Sequence, residues 1–315
     1  MSNALVDGTV VENRGALFEV MVDGRVVRCL LRGRLKKVKA GQRRAAATPV
    51  AAGDRVRVML LEAGRGVIEE VAARETGLSR TAAGSRPLQQ TLVANVDQAV
   101  IVFAAAEPRP DLFMLDRFVV AAAASELEPL IVVNKCDLLV DGEPSRLAAG
   151  GQVHARFAVY RQWFRVLFTS AARGEGVGEL REALRGRRSV VCGPSGVGKS
   201  SLLNAVAPGL NLRVGEVGDV THKGRHTTSG VTLLELPSGG WVADTAGLRQ
   251  FGFWEVPPER VGAGFPDLAQ YLGRCRFADC SHRHEQGCAI REAVRSGDAD
   301  ARRVRSYLQL VGGGT

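Results

Sequence analysis

Apolar and polar residues alternate in short runs through the first eighty positions, then give way to a strand–helix rhythm. Thr9-Val10-Val11, Leu17 to Val22, Val26 to Leu31, Arg55 to Leu60 and Gly66 to Val71 read as strands. Asp23-Gly24 marks a tight hairpin between the second and third of them. Five short strands without a helical period predict a small β-barrel of the OB type. From about Val96 the runs lengthen. Asp97 to Phe103, Leu130 to Val133, Val166 to Thr169, Ser189 to Cys192 and Trp241 to Ala243 read as buried strands. Between them, helices are expected over Asp111 to Ala124, around Trp163 and Phe164, over Gly178 to Leu184 and over Lys199 to Val206. This alternation predicts an α/β domain with a mostly parallel sheet. After Gly247 the chain turns irregular and ends in a short basic helix from Asp298 to Val311. The domains are expected at residues 1–82, 83–247 and 248–315.

Composition narrows the class. Of 315 residues, 45% are hydrophobic and 24% charged, values of an ordinary globular protein. No apolar run approaches the roughly 18 to 20 residues that span a bilayer. The first residues carry neither the basic segment nor the apolar run of a secretory signal, so a cytoplasmic location is expected.

The net charge of +9 points to an acidic partner. Nine basic residues and no acid lie between Gly24 and Gly53, seven of them in the long loop after the third strand. Such a block attracts phosphate backbones, although a merely solvated loop has the same charge.

Two motifs carry the strongest chemistry, and their order is unusual. Gly193-Pro194-Ser195-Gly196-Val197-Gly198-Lys199-Ser200 fits G-x-x-x-x-G-K-S/T between a predicted strand and a predicted helix. Its backbone N–H groups can cradle phosphates, Lys199 can neutralise them, and Ser200 can ligate Mg²⁺. Ser201 continues the same helix start.

Asn134-Lys135-Cys136-Asp137 follows an apolar strand and reads as a guanine-recognition motif. The Asp137 carboxylate can accept hydrogen bonds from N1–H and the exocyclic amine of guanine, which adenine lacks. Lys135 can lay its stem on the base, and Asn134 can support the loop. Thr169-Ser170-Ala171 matches a second base-reading loop, in which a backbone N–H faces the guanine oxygen. An ordinary GTPase places the phosphate loop first. Here the base motif comes first, so the order predicts a rearranged topology.

Asp244-Thr245-Ala246-Gly247 closes a strand, so that Asp244 can hold Mg²⁺ through water and Gly247 can sense the γ-phosphate. Between this motif and the phosphate loop, Lys223 to Ser229 is expected to act as a switch. Thr227, with Thr228 as its rival, can complete the Mg²⁺ shell. Leu248 stands where many GTPases carry a water-orienting glutamine, so hydrolysis is expected to need help. His226 is the candidate, with an idle loop histidine as the alternative.

The cysteines fall into two sets. Cys29, Cys136 and Cys192 are expected to be small buried residues. Cys275, Cys280, His282 and Cys288 suit one closed, structural Zn²⁺ site, with His284 as a rival imidazole.

In this order, N-K-x-D, T-S-A, G-P-S-G-V-G-K-S-S, G-R-H-T-T, D-T-A-G and C-x4-C-x-H-x5-C, the chain resembles the RsgA (YjeQ) family of circularly permuted bacterial GTPases. Ser229 departs from that family's usual third threonine while keeping a hydroxyl. The resemblance implies an N-terminal OB-fold, a permuted P-loop GTPase domain and a small zinc-binding C-terminal domain. It also implies a protein that binds GTP or GDP with Mg²⁺, meets the small ribosomal subunit and its 16S rRNA, and hydrolyses GTP faster there. Nothing in the sequence suggests a dimer seam, so a monomer is expected. His226 falls where that family's histidine acts in catalysis. Two other readings fit the residues: a GTPase acting on another RNA such as tRNA, and an RNA-binding module that senses GTP without turnover.

Overall fold

The computed structural model describes residues 5–35, 50–62, 64–82, 88–139, 152–210, 212, 231–244 and 256–312, with backbone only at 79–82, 88–90, 152, 153 and 244. Its chain forms two units. One comprises Met1–Gln98, Arg181–Val191 and Gly215–Gln250; the other comprises Ala99–Leu180, Cys192–Val214 and Phe251–Thr315.

In the first unit, β1 (Leu5–Asn13), β2 (Leu17–Val22), β3 (Arg25–Leu31), β4 (Arg55–Leu61) and β5 (Arg65–Val71) close a barrel in the order β1-β2-β3-β5-β4, with β4 returning to β1. All neighbours are antiparallel except β3 and β5. This is the predicted OB-type arrangement. Its cause is the period of two: along β3, Val27, Cys29 and Leu31 point inward while Arg28 and Leu30 remain exposed. The inward set joins Val10, Phe18, Val20, Val56, Val58 and Ile68 in one core. Asp23 and Gly24 both take positive φ, 46° and 75°, which suits the tight turn between β2 and β3.

A hairpin of β6 (Gly77–Ala82) and β7 (Leu88–Ala94) follows the barrel, and the sequence pattern did not predict it. The alternation there is weak, and Leu78 and Val93 are its deeply buried anchors. Arg74 fixes its base. The guanidinium meets the fully buried Asp54 through two 2.7 Å hydrogen bonds and Thr91 through a third. Gly53, at φ 90°, lies so close to Ala94 that a Cβ would sit 2.0 Å from its carbonyl oxygen. The same unit holds β11 (Arg188–Cys192), β12 (Thr232–Glu235) and β13 (Trp241–Asp244). β11 and β13 run parallel, and Val190 pairs with Ala243, one residue before Asp244.

The second unit carries β8 (Gln98–Ala104), β9 (Glu128–Asn134) and β10 (Arg165–Phe168), in the order β10-β9-β8. β8 is buried along its whole length, as a strand of a covered parallel sheet must be. Helix α1 (Leu112–Ala124) starts at Asp111, whose carboxylate accepts from the N–H groups of Phe113 and Met114. Helices α2 (Val177–Leu184) and α3 (Lys199–Val206) lie close to their expected places.

The helix expected around Trp163 and Phe164 is displaced. Helical turns cover Gln152–Arg156 and Ala158–Arg161 instead, and the N–H groups of Trp163 and Phe164 both close on the Tyr160 carbonyl. Trp163 therefore sits after the helix, 46% exposed, as the chain turns into β10.

Beyond residue 255 a small helical lobe forms around Val261, Phe265, Leu268, Ile290, Ala293, Val304 and Tyr307, with Val120 of α1 in the same core. Its main helices are α4 (Ala289–Ser296), which the sequence reading did not foresee, and α5 (Ala301–Val311). Asp300 caps α5 by accepting from the Arg303 N–H. Among the described residues, no helix is long and apolar enough to cross a membrane.

Candidate nucleotide site and metal cluster

The phosphate loop leaves β11 at Gly193 and enters α3 at Lys199. Its shape depends on glycine. Gly193 has φ 137°, and a Cβ there would lie 2.1 Å from the Val102 carbonyl oxygen; Gly198 has φ 89°, and its Cβ would lie 2.6 Å from Asn134 Nδ2. Ser195 and Gly196 form the exposed crest, while Val197 is buried. Lys199 folds back over this crest, with Nζ donating to the carbonyls of Gly193 at 2.8 Å and Pro194 at 2.6 Å. Ser200 and Ser201 occupy the first turn of α3, half-buried. The unused N–H groups of that turn favour an anion.

The base-reading loop follows β9. Asn134 is buried, 1% exposed, and its Nδ2 donates to the Val197 carbonyl at 3.0 Å. Its Oδ1 accepts from Thr169 Oγ1 and from the Ala171 N–H, both at 3.1 Å. One amide thus ties together the phosphate loop, the base-reading loop and the Thr169-Ser170-Ala171 loop. Lys135 takes a left-handed φ of 61°, which turns the chain so that Asp137 comes to Ser170. Ser170 Oγ donates to Asp137 Oδ1 at 2.6 Å and accepts from the Arg173 N–H at 3.1 Å. Cys136 faces inward, and burial pushes its thiol up to about 11. Cys29 and Cys192 are likewise buried, as expected.

A fourth segment, absent from the sequence prediction, meets this site. Lys135 Nζ donates to the Glu107 carbonyl at 2.6 Å. Pro108 Cδ lies 3.8 Å from the point where a Cβ on Gly196 would stand. The stretch between β8 and α1 therefore touches both the base-reading and the phosphate loop. Its contact to Lys135 is made by backbone, which no residue motif records.

Of the remaining nucleotide residues expected from sequence, Asp244 ends β13, paired with Thr232. His226, Thr227, Thr228, Gly247 and Leu248 lie outside the described residues.

The C-terminal cysteines do converge. The ligand atoms of Cys275, Cys280, His282 and Cys288 all lie within 4.8 Å of one another. His282 Nδ1 stands 3.3 Å from Cys275 Sγ and 3.5 Å from Cys288 Sγ, and the two sulfurs are 3.9 Å apart. Ligands about 2.0 to 2.3 Å from one tetrahedral ion have separations of this size. The left-handed φ of His282, 60°, turns its ring toward the thiols. His284 is exposed and outside this group. Three thiols and an imidazole can hold a metal ion here.

Comparison with known proteins agrees with this geometry. Residues 71–254 match the family model described as RsgA GTPase. The chain belongs to the RsgA GTPase family. The small ribosomal subunit biogenesis GTPase RsgA of Gemmatimonas aurantiaca is 43% identical over 306 residues, 96% of this chain and 95% of that protein. Its namesake from Moorella thermoacetica is 43% identical over 97% of this chain and 96% of its own length. Among solved structures, YjeQ from Thermotoga maritima superposes with a TM-score of 0.78 at 31% identity, covering 98% of both chains. YloQ, a circularly permuted GTPase, gives 0.72 at 27% identity over 98% of this chain and 95% of its own. The reversed motif order is therefore the permutation of this family, and the chain is a GTPase of the circularly permuted kind.

Proposed function

We propose that this chain is a GTP-hydrolysing assembly factor that binds the small ribosomal subunit late in its maturation; its relatives are named for a GTPase role in small ribosomal subunit biogenesis. The observation that carries the GTP part is the Asp137 carboxylate held by Ser170 and joined through Asn134 to the phosphate loop. Asp137 reads guanine. Gly193, Ser195, Gly196, Val197, Gly198, Lys199, Ser200 and Ser201 hold the phosphates. Ser200, Asp244 and Thr227, with Thr228 as the alternative, hold Mg²⁺, which neutralises charge on the β- and γ-phosphate oxygens. His226 orients the attacking water, and Gly247 senses the γ-phosphate.

The Cys275–Cys280–His282–Cys288 cluster takes Zn²⁺ as a structural staple, since soft thiolates with one imidazole suit that ion and none of the four is a carboxylate. Residues 1–82 and residues 248–315 grip 16S rRNA, and residues 83–247 make up the GTPase domain. The exposed arginines of β3 and β5, Arg25, Arg28 and Arg65, support the barrel's share of that role. The protein acts in the cytoplasm as a monomer.

The test is the GTP hydrolysis rate with and without purified small subunits, with tRNA as a second arm. Stimulation by subunits and not by tRNA is expected. Equal rates in all three conditions would sink the ribosomal part of the reading.

A further inference from the structure

Asp116 lies in the middle of α1, fully buried, and receives hydrogen bonds from three side chains. Tyr160 Oη donates to its Oδ1 at 2.6 Å, Arg303 Nη1 to the same oxygen at 2.6 Å, and Arg302 Nη1 to Oδ2 at 2.7 Å. Arg303, only 1% exposed, also grips Asp267 and the Gly264 carbonyl and lies 4.4 Å over the Phe265 ring. Burial works against its charge, but hydrogen bonding to Asp267 and the nearby Asp116 outweigh it and hold the guanidinium above its ordinary pKa.

Both ends of this cluster lead to a site. Toward the nucleotide, Asp111 caps α1, and the four residues before it include Glu107, whose carbonyl takes the Lys135 ammonium, and Pro108 beside Gly196. Toward the metal, Arg302 and Arg303 belong to α5, whose Tyr307 ring stands 6.4 Å from that of His282. A buried charge cluster in place of an apolar contact is a costly way merely to glue two helices. It permits one close-fitting arrangement of α1 against α5 and penalises intermediate ones.

We propose that Asp116, Arg302 and Arg303 are positioning residues that couple nucleotide binding to metal retention, with α1 as the shared element. The inference rests on the reading that guanine nucleotide occupies the loops around Lys135 and that the cysteine–histidine cluster holds Zn²⁺. Coupling of this kind is reciprocal: a nucleotide that favours one placement of α1 also favours the metal lobe docked on it. The route starts at the base end, so GDP suffices and no γ-phosphate is needed.

The experiment follows zinc release from the full-length holoprotein into a chromogenic chelator, with and without saturating GDP. GDP is expected to slow release about fivefold in the wild type. In Arg302→Gln the two rates should become equal, whatever their absolute values. Tyr160→Phe, which keeps the ring and removes the hydroxyl between Asp116 and Arg302, should shrink the ratio as well and serves if the first variant does not fold. A purely structural cluster would raise both rates and preserve their ratio, which overturns the proposal. So would a GDP-independent wild type shown to bind GDP and one zinc. A wild type without GDP affinity or zinc would sink the underlying reading along with it.

Discussion

Asn134 Nδ2 donates to the Val197 carbonyl at 3.0 Å, so a single buried amide joins the base-reading loop to the phosphate loop across 63 residues of sequence. The same side chain accepts from Thr169 and Ala171, and Gly198 leaves it the space. Asn134→Ala removes all three bonds and leaves the Val197 carbonyl unpaired. Its expected effect is at least a tenfold loss of affinity, about 1.4 kcal/mol, for GDP and GTP alike. Titration with fluorescent analogues of both nucleotides checks this. A loss confined to GTP would mean that the amide acts on the γ-phosphate region rather than on loop registry.

Ser170 fixes the Asp137 carboxylate with a 2.6 Å hydrogen bond, leaving the other oxygen and a second lone pair for the base. Asp137→Asn replaces one acceptor by a donor. Guanine then faces a mismatched amide, while xanthine, with an oxygen in place of the exocyclic amine, gains a partner. Competition assays should show GDP weakened at least ~100-fold and XDP improved. Ser170→Ala should act more gently, reducing the preference for GDP over IDP. An unchanged preference would show that Asp137 needs no such support.

Much of this site was legible because its chemistry is local. Gly193, Gly196 and Gly198 are needed for the backbone they permit, and Asn134 and Asp137 stand where β9 ends, so short motifs suffice to mark these positions. The barrel was legible through its period of two. What escaped reading depends on partners far along the chain. Asp116 and Arg303 are 187 residues apart, and each looks like an ordinary solvated charge on its own helix. Lys135 meets Glu107 through a backbone carbonyl, to which side-chain identity gives no clue. The β6–β7 hairpin was missed because its apolar alternation is sparse, and its Arg74–Asp54 anchor again pairs distant residues.

The cysteine cluster yields a sharp contrast between two neighbouring histidines. His282 contacts two thiols at 3.3 and 3.5 Å, whereas His284 points to no cluster atom and is exposed. Metal analysis of purified variants should find zinc lost or strongly reduced in His282→Ala and retained in His284→Ala. Removing zinc from the wild type with a chelator should unfold the lobe of α4 and α5 first, since structural zinc contributes on the order of 10 kcal/mol. Loss of helical signal on chelation, reversed by added zinc, would be the readout. Retained zinc in His282→Ala would put the fourth ligand elsewhere.

The buried thiols give stability a direction at alkaline pH. Burial pushes Cys136 up to about 11 from an ordinary 9.0, and Cys29 moves in the same direction for the same reason. Below pH 9 both folded and unfolded chains keep these protons, and the contribution is complete. Between 9 and 11 the unfolded chain releases a proton that the folded chain retains at Cys136. Unfolding is then favoured by at most about 1.4 kcal/mol per pH unit. The nearby charges of Asp137 and Glu175 add to the shift, while the Thr169 backbone hydrogen bond opposes it. Urea unfolding at pH 8 and 10.5 should therefore show a clear loss of stability in the nucleotide-free wild type. Cys136→Ala, although weaker at both values, should lose less between them. An identical loss in the two proteins would mean that the Cys136 thiol already ionises in the folded state.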